Sequence, residues 1–146
     1  MREKMLSLVP QSDTAELAAA LTAAKLPSDD VSEDGRRFWR AVDETGRVVG
    51  YGGIEGGGAD VLLRSVVILP ARRGAGLGRA LIDALLREAK GAGSRRVWLL
   101  TTGAADFFDH LGFERQDRAK APSVVTQSRQ FTALCPASAA VLVRAL

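Results

Sequence analysis

The segment Arg72-Arg73-Gly74-Ala75-Gly76-Leu77-Gly78-Arg79 sets glycines at alternate positions among three arginines. It lies between the apolar run Val66-Val67-Ile68-Leu69-Pro70 and a helical stripe that starts at Leu77. Glycine lacks a Cβ, so such a loop turns tightly and lets a ligand reach its backbone, and a helix beginning there aims unpaired N–H groups into the loop. Those donors, the helix dipole and the guanidinium groups suit a polyanion and read as a diphosphate cradle. The plainer alternative is a glycine-rich turn with solvated arginines.

Spacing narrows the choice. A P-loop needs Lys and Ser or Thr directly after its last glycine, and here Arg79 and Ala80 follow Gly78. The dinucleotide fingerprint fails in both registers, because Arg79 or Leu81 stands where the third glycine belongs, and no acidic residue ends the next strand, Val97–Thr102. What remains is Arg73-x-x-Gly76-x-Gly78. This resembles the acetyl-CoA signature of the GNAT superfamily of N-acetyltransferases.

The resemblance implies that residues 72–79 (Arg72, Arg73, Gly74, Ala75, Gly76, Leu77, Gly78 and Arg79) hold the CoA diphosphate. It also implies that the backbone of Val66, Val67 and Ile68 pairs with the pantetheine between two splayed parallel strands. In many members the segment after the last long strand ends Tyr-x-x-x-Gly-Phe, the tyrosine protonating the CoA sulfur. This chain has Phe108-Asp109-His110-Leu111-Gly112-Phe113. Phe108 can line the CoA site but has no proton to give. Ser65, Thr101, Thr102, Cys135 or a water are the substitutes, or the thiolate departs without a dedicated acid.

Amine acetylation also requires a neutral amine. Glu55 and Asp60 are the nearest carboxylates for a general base, directly or through water, and the plainer reading of both is an exposed charge at a hairpin end. His110 has a suitable ordinary pKa, but it follows Phe107 and Phe108 on a helix whose apolar residues look like core. Arg64 interrupts the apolar run Leu62-Leu63-Arg64-Ser65-Val66 and is either a solvent-facing charge or a bidentate partner for an acceptor's carboxylate. An anionic acceptor favours an amino-acid-like amine. Cys135, followed by Pro136, is a further acceptor-site candidate or a small buried residue.

These residues need elements to carry them. Met5–Val9 reads as a strand, and Asp13 caps an Ala- and Leu-rich helix to about Leu26. Residues 27–35 are a loop or a short helix. Arg37–Asp43 and Arg47–Ile54 alternate as a hairpin, and Ala59–Leu69 forms the next strand, ended by Pro70. A helix over Leu77–Lys90, a central strand at Val97–Thr102, a short helix at Ala105–Leu111 and strands near Phe113–Asp117 and Ala139–Val143 follow, with a helical turn after Pro122. This order matches the GNAT fold. The resemblance implies an α/β protein with a mixed, mostly antiparallel sheet of six to seven strands flanked by about four helices.

The 146 residues fit one acetyltransferase domain over 1–146. An apolar share of 47% and a charged share of 25% are those of a soluble globular protein, and no apolar run approaches the ~18 residues of a membrane span. No secretory signal is evident, which makes the cytoplasm the expected compartment. One cysteine and one histidine give no metal-site spacing. The net charge of +3 gathers at the glycine loop instead of a basic stripe with stacking aromatics, so no nucleic-acid partner is expected. A monomer or a homodimer is compatible with the late strands.

Further blocks carry a narrower resemblance. Leu63-Arg64-Ser65-Val66, Ala104-Ala105-Asp106-Phe107-Phe108, Asp117-Arg118 through Ala121-Pro122 to Ser128 and Phe131, and Leu134-Cys135-Pro136-Ala137-Ser138 look like the short acetyltransferases of arsenic-resistance operons. That resemblance implies detoxifying N-acetylation of a small amine, with acetyl-CoA as donor. Two other readings stand beside it: a CoA-binding sensor without efficient transfer, and an arsenical-binding protein using Cys135 and no CoA.

Overall fold

The computed structural model describes residues 6–26, 28, 30–31, 35–129, 131–132 and 139–146. Among the described residues seven strands form one sheet in the order β1-β2-β3-β4-β5-β7-β6. The first four run in chain order as β1 (Ser7–Pro10), β2 (Arg36–Val42), β3 (Val48–Glu55) and β4 (Asp60–Ile68). Each pairs antiparallel with the next. The parallel step is β4 to β5 (Arg96–Thr101), after which β7 (Ala140–Ala145) lies antiparallel between β5 and β6 (Glu114–Gln116). Helices α1 (Thr14–Ala23), α2 (Leu77–Gly91), α3 (Ala105–His110) and α4 (Ser123–Thr126) flank it. The mixed, mostly antiparallel sheet with four helices is the architecture expected from the sequence.

The four-stranded half is tied to one face by α2. Its stripe Leu77, Leu81, Ile82, Leu85, Leu86 and Ala89 is buried against Val49, Ile54, Val61, Leu63, Val97 and Leu99. Contact is close enough that a Cβ added at Gly52 would stand 2.4 Å from Leu85 Cδ1. On the opposite face α1 buries Leu17 and Leu21 against Phe38, Tyr51 and Val67. Asp13 starts that helix as expected, its carboxylate accepting from Ala15 N at 3.0 Å and Glu16 N at 3.1 Å. Tyr51 donates to Glu16 at 2.5 Å, and burial together with that carboxylate pushes its hydroxyl up to about 12.

The same face carries a buried ion cluster. Asp30 projects from the connection between α1 and β2 and receives both terminal nitrogens of Arg64 on β4, and Arg36 Nε at 3.0 Å. Burial alone would raise the Asp30 carboxyl; the bonds to Arg64 and Arg36 outweigh it and hold the group below its usual range. The cluster fastens the connecting segment to the sheet beside the middle of β4.

Two consequences can be measured by denaturant unfolding. Gly50 faces β4 so closely that an added Cβ would come 2.2 Å from the Val67 carbonyl oxygen, so Gly50→Ala costs about 2–3 kcal/mol. Asp30→Asn leaves the Arg64 charge buried with one of its two carboxylate partners neutralised and costs about 3–5 kcal/mol near neutral pH. The wild-type pair contributes fully above the unfolded carboxyl value of about 3.9. It loses that contribution as pH falls through the lower folded value, so the gap between wild type and Asp30→Asn narrows in acid.

Candidate active site

The parallel strands β4 and β5 pair at one end only. Asp60, Val61 and Leu62 face Arg96, Val97 and Trp98, and the remainder of β4, Leu63–Ile68, pairs with β3 alone. The closed end is stapled: Asp60 accepts from Arg96 Nε at 2.7 Å, Arg96 Nη2 at 3.1 Å and Trp98 Nε1 at 2.9 Å. The Arg96 bond, against burial and aided by Trp98, holds the Asp60 carboxyl below its usual range. Asp60 therefore serves the shut end of the fork, not its opening.

The open end begins at a bulge. Register between β3 and β4 passes from Gly53↔Arg64 to Tyr51↔Val67, so Ser65 and Val66 together stand opposite Gly52. Ser65 takes a φ of 58°, the left-handed region that a residue with a Cβ enters at a cost on the order of 1 kcal/mol. A bulge bends and twists its strand, and here it turns β4 away from β5. Val66 then leans on the α2 core, Val67 is buried in the α1 core, and Ile68 is half-buried at the strand's end.

Beyond Ile68 the chain enters the glycine loop. Pro70–Arg72 makes a short 3-10 turn, Gly74 has φ 84°, and Gly76 has φ 74° as the residue preceding α2. No side chain caps α2 and its first turn holds no acid, so its N–H groups face the loop without a local anion. A cavity of about 310 Å³ opens here, bounded by Ile68, Arg72, Arg73, Gly74, Gly76, Leu77, Gly78, Arg79 and Phe107. A Cβ at Gly78 would reach within 3.5 Å of the Phe107 ring. Ala75 is exposed, and Leu77 turns inward to the core.

The three arginines differ in their ties. Arg72 is paired with Asp43 of the β2–β3 turn at 2.8 Å, Arg73 folds back so that its Nε donates to the Ile68 carbonyl at 3.1 Å, and Arg79 is exposed. Asp43 is held far below the carboxylate range by the Thr45 hydroxyl and then by Arg72. The alternating glycines, uncapped helix and cationic rim fit a diphosphate.

The other candidates are placed as follows. Arg64 has no exposed side-chain surface. Its Nε donates to Ser65 Oγ at 3.0 Å, its terminal nitrogens to Asp30, and Nη1 also to Glu55 Oε1 at 3.1 Å. Burial works against the charged guanidinium, and the bonds to Asp30 and Glu55 outweigh it. Neither a solvent-facing charge nor a free fork for a substrate carboxylate describes this geometry.

Glu55 ends β3 with its carboxylate also 3.5 Å from Arg36 Nε and a little of its surface open. Phe108 is buried, its ring edge-on to Phe107 at 5.1 Å and to Phe113 at 5.5 Å. Thr101 Oγ1 accepts from Ala104 N at 3.1 Å, and His110 lies exposed with Nδ1 2.6 Å from the Asp106 carbonyl. Cys135 lies outside the described residues. Sequence reasoning missed Asp30 and Arg36; an arginine inside an apolar strand was the signal that an acid must meet it.

Comparison with known proteins gives the same fold. Residues 34–115 match the family described as acetyltransferase (GNAT) domain. The uncharacterized N-acetyltransferase YjgM of Escherichia coli is 38% identical over 96 residues, 60% of this chain and 57% of the relative. The amino-acid acetyltransferase of Mycobacterium tuberculosis is 37% identical over 81 residues, 53% of this chain and 46% of the relative. The chain thus spans about half the length of these curated relatives.

Among solved structures, N-acetylglutamate synthase from Neisseria gonorrhoeae, complexed with coenzyme A and N-acetyl-glutamate, superposes with a TM-score of 0.76 at 19% identity. It covers 99% of this chain and 36% of that one. Rv2747 from Mycobacterium tuberculosis, in complex with CoA and NLQ, gives 0.75 at 23% identity, covering 97% and 99%. With more than half of the sequence matched and the fork-and-loop geometry in place, the chain belongs to the GNAT acetyltransferase family.

Proposed function

We propose that this chain transfers acetyl from acetyl-CoA to the amine of a small, amino-acid-like acceptor, directly and within a ternary complex. The observation that carries the reading is the half-open β4–β5 fork running into an uncapped, glycine-rich helix start. Residues 72–79 would hold the diphosphate, and the unpaired edge of Val66, Val67 and Ile68 the pantetheine amides. Bound acetyl-CoA supplies an acyl group activated as a thioester. An N–H of β4 near the bulge would face its carbonyl oxygen, where fixed donors matter most as negative charge grows.

On the acceptor side, Glu55 is the carboxylate with open surface next to the fork, and in this reading it takes the ammonium proton through water. Arg64 organises Glu55, Asp30 and Ser65 and does not itself touch the acceptor. The amino-acid acetyltransferase relative supports an amino-acid-like amine. The C-terminal blocks bring arsenic-bearing amino acids and detoxification into the same proposal. A cytoplasmic setting belongs with it; among the described residues no helix is long and apolar enough to cross a membrane.

A screen of amino acids and their arsenic- and phosphorus-containing analogues for acetyl-CoA-dependent thiol release tests the activity. Release with at least one amine is expected, whereas tight acetyl-CoA binding with no release for any amine would indicate a sensor. Gly76→Glu puts bulk and negative charge in the cradle and should weaken CoA binding by about 100-fold or more in calorimetry; unchanged affinity would remove CoA from the loop. Glu55→Gln should lower kcat by about 100-fold. A loss of melting temperature alone, with kcat unchanged, would leave Glu55 a structural role.

A further inference from the structure

We propose that the Ser65 hydroxyl is a catalytic group that hands a proton to the departing sulfur; this rests on the acetyl-transfer reading and deepens it. Ser65 and Lys25 are the described non-glycine residues with positive φ. Glycine would occupy the Ser65 position without strain, and strain kept at one residue of a site points to use of its side chain. That residue begins the bulge, past Leu62, the last residue of β4 to pair with β5, so it stands at the mouth of the fork.

The hydroxyl is oriented. An alcohol has one proton and two lone pairs. Arg64 Nε donates to one lone pair at 3.0 Å, and Arg64 is itself fixed by Asp30 and Glu55. Ser65 is buried, and among the described residues no other group bonds its side chain, so its proton and second lone pair have no protein partner. The competing groups are less suited. Phe108 has no exchangeable proton, and Thr101 Oγ1, which accepts from the Ala104 N–H, keeps its proton but is oriented by a neutral amide and not by a fixed guanidinium.

The step balances without a further reactant. Once the acceptor amine is neutral, its nitrogen forms the C–N bond as the C–S bond breaks, so nitrogen must lose a proton and sulfur must gain one. Ser65 gives its proton to sulfur while its free lone pair takes the proton from nitrogen. The hydroxyl is restored, and the products are the acetylated amine and the free thiol.

The test compares the full-length wild type, Ser65→Gly and Ser65→Ala with the acceptor found by thiol release. Absence of release in the wild type would defeat the acetyl-transfer reading itself, separately from Ser65. Given release, both variants should lose about tenfold to a hundredfold in kcat while KM for acetyl-CoA stays within about twofold. Ser65→Gly removes the hydroxyl and the strained Cβ together but leaves the buried Arg64 Nε without its acceptor, so kcat is compared well below the melting temperature of each variant, where lost rate is not lost folding. Wild-type kcat in Ser65→Gly overturns the proposal. So does a loss in only one variant, which would trace the effect to backbone strain or looseness, or a change confined to KM.

Discussion

Every functional feature of this chain depends on a parallel strand pair that is held at one end and prevented from closing at the other. Between β4 and β5 the pairing stops at Leu62 and Trp98, and Asp60 locks the closed end through Arg96 and Trp98. The left-handed Ser65 bulge then carries the rest of β4 away. A sheet interior normally satisfies its backbone groups with neighbouring strands. Here the inner edge beyond Leu62 has no part of β5 to meet, and in the proposed function an extended, amide-bearing ligand would supply that pairing.

The two faces of the sheet divide the work. On one, α2 is clamped by its apolar stripe so that its N-terminus ends beside Ile68, where β4 leaves the fork; the proposed phosphate cradle would then follow from packing that folding requires in any case. On the other, the Asp30, Arg36, Arg64 and Glu55 cluster anchors the segment after α1 to the strand that carries the bulge. Buried ion pairs contribute little net stability compared with apolar packing, and losing one partner is costly. Their value here is positional, since the same guanidinium that meets Asp30 also fixes the oxygen of Ser65.

Local features were legible in the sequence. The glycine loop, the Asp13 cap, the hairpin and the Leu77–Lys90 stripe each arise from residues close together in the chain, and all appear within a residue or two of the expected bounds. The partner of Arg64 was not legible, because Asp30 lies 34 residues away in a polar stretch with no periodicity. The bulge was invisible for a different reason: positive φ is usually signalled by Gly or Asn, and this site uses Ser. Asp60 illustrates the converse error, since a carboxylate close in sequence to the site lies at the shut end of the fork, already engaged by Arg96.

In the proposed function the fork edge of β4 is the binding surface for the donor's amide-bearing arm. Amide hydrogen exchange with and without acetyl-CoA measures this directly, residue by residue. Slowed exchange in the Val66–Ile68 stretch, together with the amides at the start of α2, is the predicted result. Protection at α2 alone, with Val66–Ile68 exchanging as in the free protein, would contradict it and reduce the site to a phosphate cradle.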